Sequence, residues 1–349
     1  MSSKDTTIEN RSEIVFLYDA KDTNPNGNPL SANDKPRVDE TTGKAVVTDV
    51  RLKRYLRDQL DDDGFGIYVR NPSKAGYDDV PGRDDLFRRV TDVNDDELEE
   101  MSGSEAADAF LNNAVDVRYF GATCSFSTGF TDKFGDGFPG QFIGPVQFSH
   151  ARSLNTVVHK SEAKQLSTVV SSDSGNTDGD SAEQGTFATD NRLQYAIIPF
   201  HGIVNEVGAA DTNLRQEDVE RLDTLMWRAL KNQTLTRSKK GHQPRLYLRV
   251  EYETDEFHIG TLEERLDLSQ EMPDTELRNI TDVVLDISGV LKALGNAREH
   301  IDTIHVAADP YLTIDTGDET GNEHLLYRAL EETVGEDCVA EIDVYDVDQ

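Results

Sequence analysis

Ser12-Glu13-Ile14-Val15-Phe16-Leu17-Tyr18 opens the stretch, residues 12–60, that decides how this chain can fold. Its apolar run from Ile14 to Tyr18 is β-branched and aromatic and suits a buried strand. A turn-rich loop follows, Asp19-Ala20-Lys21-Asp22-Thr23-Asn24-Pro25-Asn26-Gly27-Asn28-Pro29. Asn-Pro, Asn-Gly and Asn-Pro punctuate it, because proline fixes φ while glycine and asparagine tolerate left-handed φ. The chain returns as Ala45-Val46-Val47. Thr48 or Asp49 then caps a helix whose apolar positions are Val50, Leu52, Leu56 and Leu60, with Arg51, Lys53, Arg54 and Arg57 between them. A strand, an amide-rich loop and a basic helix make a corner that faces anions.

That basicity stands against an acidic background. The 349 residues hold 67 acids and 35 lysines and arginines, a net charge of −32. The acids are scattered along the chain, as expected of a protein kept soluble in the very salty cytoplasm of a halophile. Screening shortens to about 3 Å in molar salt. A nucleic-acid site there rests on close hydrogen bonds, stacking and shape, so overall charge does not exclude RNA. The 36% hydrophobic content, in periodic runs, supports a folded chain of one large or two ordinary domains. Cys124 and Cys338 lie far apart, so no disulfide framework or thiolate zinc site is indicated. The polar N-terminus lacks the apolar run of a signal peptide, and no run approaches the ~18 residues of a membrane span. The expectation is a soluble, cytoplasmic protein.

Beyond residue 60 the pattern predicts a short strand at 66–70, helices around 83–90 and 106–113, and a second central strand at 115–122. Phe130, Phe134, Phe138 and Phe142 recur every fourth residue, but Gly129, Gly135, Gly137, Pro139 and Gly140 argue for a long loop with these rings as packing anchors. Residues 144–205 read as a hairpin arm whose tip, 161–189, is too polar to order itself firmly. The clearest helix spans about 214–232, with Val219, Leu222, Leu225, Met226, Ala229 and Leu230 on one face. The run Arg245–Tyr252 alternates, placing Leu246, Leu248, Val250 and Tyr252 on one side of a strand. The C-terminal third predicts strands at 283–287, 303–306 and 338–344 and helices at 289–299 and 323–332. The order of elements is α+β, a ferredoxin-like sheet with long insertions.

The motifs for catalysis are weak. There is no H-E-x-x-H, Cys/His cluster, G-x-S-x-G or Walker-type loop. Asp19 and Asp22, close in sequence, are the one candidate pair for a divalent ion. The basic signal is stronger: nine of the 35 basic residues fall in two windows, 49–60 and 237–249. Both adjoin turns whose N–H groups can also meet phosphate. Pairing with neighbouring acids competes with that reading, with Arg54 facing Asp58 and Arg57 facing Asp61 at helical spacing.

Five stretches taken in order then carry a resemblance: DAKDTNPNGNP (19–29), TDVRLKRYLRDQL (48–60), DVRYFGA (116–122), GPVQFSHARSLN (144–155) and TRSKKGHQPRLYLRVEY (236–252). Together they resemble the backbone subunit of CRISPR Cascade, the Cas-seven family, in its type I-B subgroup. The likeness covers residues 12 to about 254. It implies a modified ferredoxin-like (RNA-recognition-motif) sheet with a thumb-like hairpin. The core would be 12–143 and 194–254 with a helical insertion at 61–113, the thumb 144–205, and residues 255–349 an α/β extension completing the core. It also implies a non-enzymatic subunit without cofactor or metal that polymerises along the CRISPR RNA spacer. Its partners would be that RNA, the target DNA strand, further copies of itself and other Cascade subunits. Guide RNA would be gripped by its backbone, and sequence read by base pairing. The contacts would fall on Lys21, Asn24, Asn26 and Asn28, on Lys44, on Arg51, Lys53, Arg54 and Arg57, on Arg152 and Ser153, and on Arg237, Ser238, Lys239 and Lys240. The alternative is a metal-dependent ribonuclease of the same fold, cutting with Asp19 or Asp22.

Overall fold

The computed structural model describes residues 6–26, 35–70, 81–133, 137–167, 186–234, 239–254 and 257–345; in 162–167 and 186–190 it describes the backbone alone. In chain order, β1 (Ser12–Thr23) and β2 (Lys44–Val47) precede α1 (Asp49–Asp62). A helical insertion follows: α2 (Arg83–Thr91), α3 (Asp95–Glu100), α4 (Gly103–Asn113) and α5 (Val115–Phe120). Next come β3 (Gly121–Thr123), α6 (Thr128–Thr131), β4 (Gln141–Ile143), β5 (Val146–Phe148), β6 (Ala151–Thr156), β7 (His159–Ser167) and β8 (Thr186–Val204). Helices α7 (Glu206–Thr212) and α8 (Gln216–Lys231) lead to β9 (His242–Tyr252). The C-terminal part holds β10 (Asp267–Leu268), β11 (Val284–Asp286), α9 (Ser288–Asn296), β12 (Ile301–Ala308), β13 (Thr313–Asp315), β14 (Thr320–Gly321), α10 (Glu323–Val334) and β15 (Val339–Glu341).

The main sheet runs β15-β12-β9-β1-β8-β5, with β7 joined to β8. Strand β1 is central, antiparallel to β8 and to β9. Its nine residues from Ser12 to Ala20 are all buried, because both faces of the sheet are covered. The two-residue period of the strand sorts them. Ile14, Phe16, Tyr18 and Ala20 meet α1 and α8 on one face, whereas Val15 and Leu17 meet Leu262, Leu266, Leu285, Val290, Leu326 and Leu330 of the C-terminal part on the other. The alternation expected of β9 is present, with Leu246, Leu248, Val250 and Tyr252 in the second core. On its other face Arg249 is fully buried and bidentate on Asp223 of α8, both at 2.7 Å. A third core gathers the insertion around Phe87, Phe110, Phe130 and Phe142. The phenylalanines at 130, 138 and 142 are packing anchors, as expected, while α6 and β4 give their segment more regular structure than a loop.

Two expected strands are absent. Residues 115–120 are helical rather than extended, despite their β-branched and aromatic side chains. Tertiary bonds override local propensity here. The Arg118 guanidinium bridges the carbonyls of Leu111 and Asn112 and both carboxylate oxygens of Asp218, while the Tyr119 hydroxyl donates to the Asp218 carbonyl. Gly121 ends the helix with φ +70, and a Cβ there would stand 2.2 Å from the Phe142 carbonyl oxygen, so only glycine fits. Residues 66–70 form bends, because the N–H groups of Tyr68 and Val69 donate to the Asp116 carboxylate instead of a strand partner. Val50, expected on the apolar face of α1, is 68% exposed. The hairpin strands β7 and β8 pair antiparallel out to Ser167 and Thr186. Strand pairing thus reaches into the segment expected as a polar tip, 161–189, of which 168–185, like Phe134, lies outside the described residues. Among the described residues no helix is long and apolar enough to cross a membrane.

Candidate nucleic-acid interface

Three segments meet at one end of β1: the residues leaving that strand, the first turn of α1, and the turn entering β9. Asn24 and Asn26 are buried rather than free in a loop. The Asn26 carbonyl accepts from the Arg37 N–H (3.3 Å), and Val46 N–H donates to the Arg37 carbonyl (2.9 Å), stitching the loop's return to β2. Thr48 occupies the position before α1, and its hydroxyl donates to Asn26 Oδ1 (3.3 Å) rather than capping a helical N–H. On the other side, Lys21 N–H donates to the Gly241 carbonyl at 3.0 Å. A Cβ on Gly241 would lie 2.0 Å from the Lys21 carbonyl oxygen, so this approach requires glycine. Lys239 closes the corner: its Nζ donates to the Asn24 carbonyl (3.0 Å) and lies 5.8 Å from the centre of the Tyr55 ring.

The basic side chains divide into two sets. Lys53 is buried and donates to Gln147 Oε1 (2.7 Å), with Asp49 at 3.7 Å; burial holds its pKa below the usual lysine range. Arg54 pairs with Asp58 (2.7 Å), as helical spacing allowed. Arg57 pairs with Asp116 (2.9 Å) and not with Asp61, which Arg70 occupies. Ser153 is buried; its hydroxyl donates to the Asn155 carbonyl (2.6 Å) and accepts from Ala45 N–H (2.9 Å). By contrast, the side chains of Lys21, Lys44, Arg51, Arg152 and Lys240 make no hydrogen bond or ion pair with any described residue. Lys44 and Arg152 line a cleft of about 560 Å³ together with His150, Glu263 and Glu264. Asn28, Arg237 and Ser238 lie outside the described residues.

Asp19 and Asp22 stand in different surroundings. Asp19 is buried, and its Oδ2 accepts from the Arg245 guanidinium (2.9 Å) and from the Tyr195 hydroxyl (2.8 Å). Asp22 is exposed on a left-handed residue at φ +49. Among the described residues no three His, Cys, Asp or Glu side chains stand together at metal-binding reach.

One feature of the corner was not legible in the sequence. His242, paired across the sheet with Ala20, is buried edge-on between Tyr18 and Tyr55, with ring centres 5.6 and 6.0 Å away. Burial, aided by the nearby charges of Lys239 and Arg51, pushes its pKa down to about 3, so the imidazole is neutral at any ordinary pH. Both ring nitrogens, the Tyr18 and Tyr55 hydroxyls and Asn26 Nδ2 are buried and have no hydrogen-bond partner among the described residues.

Comparison with known proteins places the chain. Residues 10–288 match the family described as CRISPR-associated protein Cas7. Over 345 residues the sequence is 46% identical to the CRISPR-associated protein Cas7 of Haloferax volcanii, covering 97% of this chain and 98% of that one. The chain belongs to the Cas7 family. The family likeness thus runs well past residue 254, through the C-terminal part that buries the second face of the sheet. Among solved structures, a chain of a CRISPR RNA-guided surveillance complex in a pre-nicking state is 13% identical, with a TM-score of 0.48 over 85% of this chain and 92% of that one. A chain of a further CRISPR RNA-guided surveillance complex is 11% identical, with a TM-score of 0.43 over 85% and 88%.

Proposed function

We propose that this Cas7-family protein is a cytoplasmic, non-catalytic backbone subunit of a type I-B Cascade. It would polymerise along the spacer of a CRISPR RNA so that the guide can pair with target DNA in antiviral defence. Family membership over nearly the full chain supports this. The observation that carries it to a site is the corner itself, where Arg51 on the first turn of α1 and Lys240 in the turn entering β9 have no acidic partner among the described residues, in a chain of net charge −32. The acid-rich composition fits work in molar salt, where such close contacts outlast long-range attraction.

The sheet order supports a modified ferredoxin-like reading. In β9-β1-β8-β5, α1 follows the first strand and α8 links the third to the fourth, both packed on one face. An open RNA-recognition sheet stacks bases on its other face. Here residues 257–345 bury that face, so RNA is expected at the strand-end corner, held by its backbone and indifferent to spacer sequence. The binding set is Arg51, Lys21, Lys44, Arg152 and Lys240, with Lys239, Asn24 and Asn26 near Arg51 and Lys240. The hairpin of β7 and β8 is the thumb, which reaches a neighbouring copy or the duplex.

The test is purification in molar salt followed by sequencing of any co-purified RNA. Short RNAs with a common flank and varied interiors are expected. Arg51→Glu should lower RNA retention by at least about tenfold, as loss of a charge-assisted phosphate contact does, with thermal stability unchanged. Full retention in a folded Arg51→Glu protein, or a wild-type protein that carries no RNA, would sink the reading.

A further inference from the structure

The corner has a floor that phosphate binding does not explain. A phosphate oxygen accepts hydrogen bonds, so a site built only for phosphates needs donors and positive charge. The floor beneath Arg51 and Lys239 offers something else. His242 is a neutral imidazole with one donor and one acceptor nitrogen, and the Tyr18 and Tyr55 hydroxyls each donate and accept. All of these atoms are buried without a partner among the described residues, together with the donor Nδ2 of Asn26. Such orphans are rare and costly when they stay unmet, and here three of the residues, Tyr18, Tyr55 and His242, lie against one another. Tyr55 follows Arg51 by four residues, on the same side of α1, and His242 touches both tyrosine rings.

We infer that the Tyr18–Tyr55–His242 floor reads the ribose 2′-hydroxyl of the strand held at this corner, and so lets the protein prefer RNA over DNA. The 2′-hydroxyl is both donor and acceptor and is the group that separates the two nucleic acids. It matches the mixed donor–acceptor floor, whereas a phosphate would meet the imidazole lone pair unfavourably. Lys239 covers the entrance, spanning from the Asn24 carbonyl to the face of Tyr55. A phosphate is a stronger partner for that ammonium than a peptide carbonyl, so backbone engagement draws Lys239 away and uncovers the floor. This inference rests on the RNA-binding reading and assigns to it the source of its sugar selectivity.

The experiment compares binding of one oligonucleotide sequence, as RNA and as DNA, to the full chain in molar salt. His242→Phe keeps the aromatic packing and removes both nitrogens. RNA binding is expected to weaken about tenfold while DNA binding holds, the loss of one or two hydrogen bonds to a hydroxyl. Tyr55→Phe, which deletes a single oxygen, should move the ratio the same way and guards against misfolding of the histidine variant. Arg51→Glu should weaken RNA and DNA together. An unchanged RNA-to-DNA ratio in both floor variants, as ordered water alone on the floor would give, overturns the inference while leaving RNA binding intact. A wild-type chain that binds neither strand would overturn the RNA reading itself.

Discussion

The two basic windows of this chain hold four and five cations, and the fold treats the two ends of each differently. In α1, Arg51 sits on the first turn without an acidic partner among the described residues, while Arg54 and Arg57 lie further along and are held by Asp58 and Asp116. Around β9, Lys240 in the turn has no partner among the described residues, while Arg245 and Arg249 sit within the strand and are held by Asp19 and Asp223. Arg51 and Lys240, near the turns, have no acidic partner among the described residues, Lys239 beside them is bonded to the Asn24 carbonyl, and the arginines deeper in each element staple the fold. Density of charge therefore marks a region, and burial decides the role of each residue in it.

The largest effect that would sharpen this contrast is on stability. Arg249→Ala strands the Asp223 carboxylate in a dry interior and should destabilise the protein by about 3–5 kcal/mol, seen as a lower midpoint in denaturant. RNA retention per folded molecule should be unchanged, and a stable Arg249→Ala protein that has lost RNA would break the division. The same staple makes a pH prediction. Burial works against the Glu251 carboxylate, but the hydrogen bond from His305 and the charge of Arg249 hold its pKa down at about 2, below the ordinary 4.5. Its stabilisation is complete above pH 4.5 and disappears as pH falls toward 2. Acid titration of Glu251→Gln should therefore show a shallower loss of stability across that window than the wild type. The smallest effect is expected at Arg54→Ala, where a partly exposed i,i+4 pair with Asp58 contributes about 0.3–0.5 kcal/mol. A loss of RNA binding there as deep as in Arg51→Glu would place Arg54 in the binding set and shift the boundary one turn along α1.

Much of the architecture could be read from residue order, because period and turn chemistry are local. The apolar run at 14–18, the amphipathic face of α8 and the alternation of β9 each declare an element and a buried side. The segment 115–120 defied that logic: its composition favours a strand, yet Arg118 and Tyr119 each bond α8, about a hundred residues away, and together hold the segment as a helix. Ser153 looked available at the base of the hairpin and is instead enclosed by Asn155 and Ala45.

The sequence by itself determined the class of the fold, the acidic surface suited to high salt, the family, and the corner where strand, loop and basic helix meet. These follow from composition, from short-range periodicity and from motifs that keep their order. Only the tertiary structure decided which cations are spent on aspartates, that Asp19 is held by Arg245, and that His242 lies between two tyrosines with its nitrogens unbonded among the described residues. Such outcomes depend on partners distant in sequence, and on the loss of water that makes each buried charge or polar atom answer to whatever lies beside it.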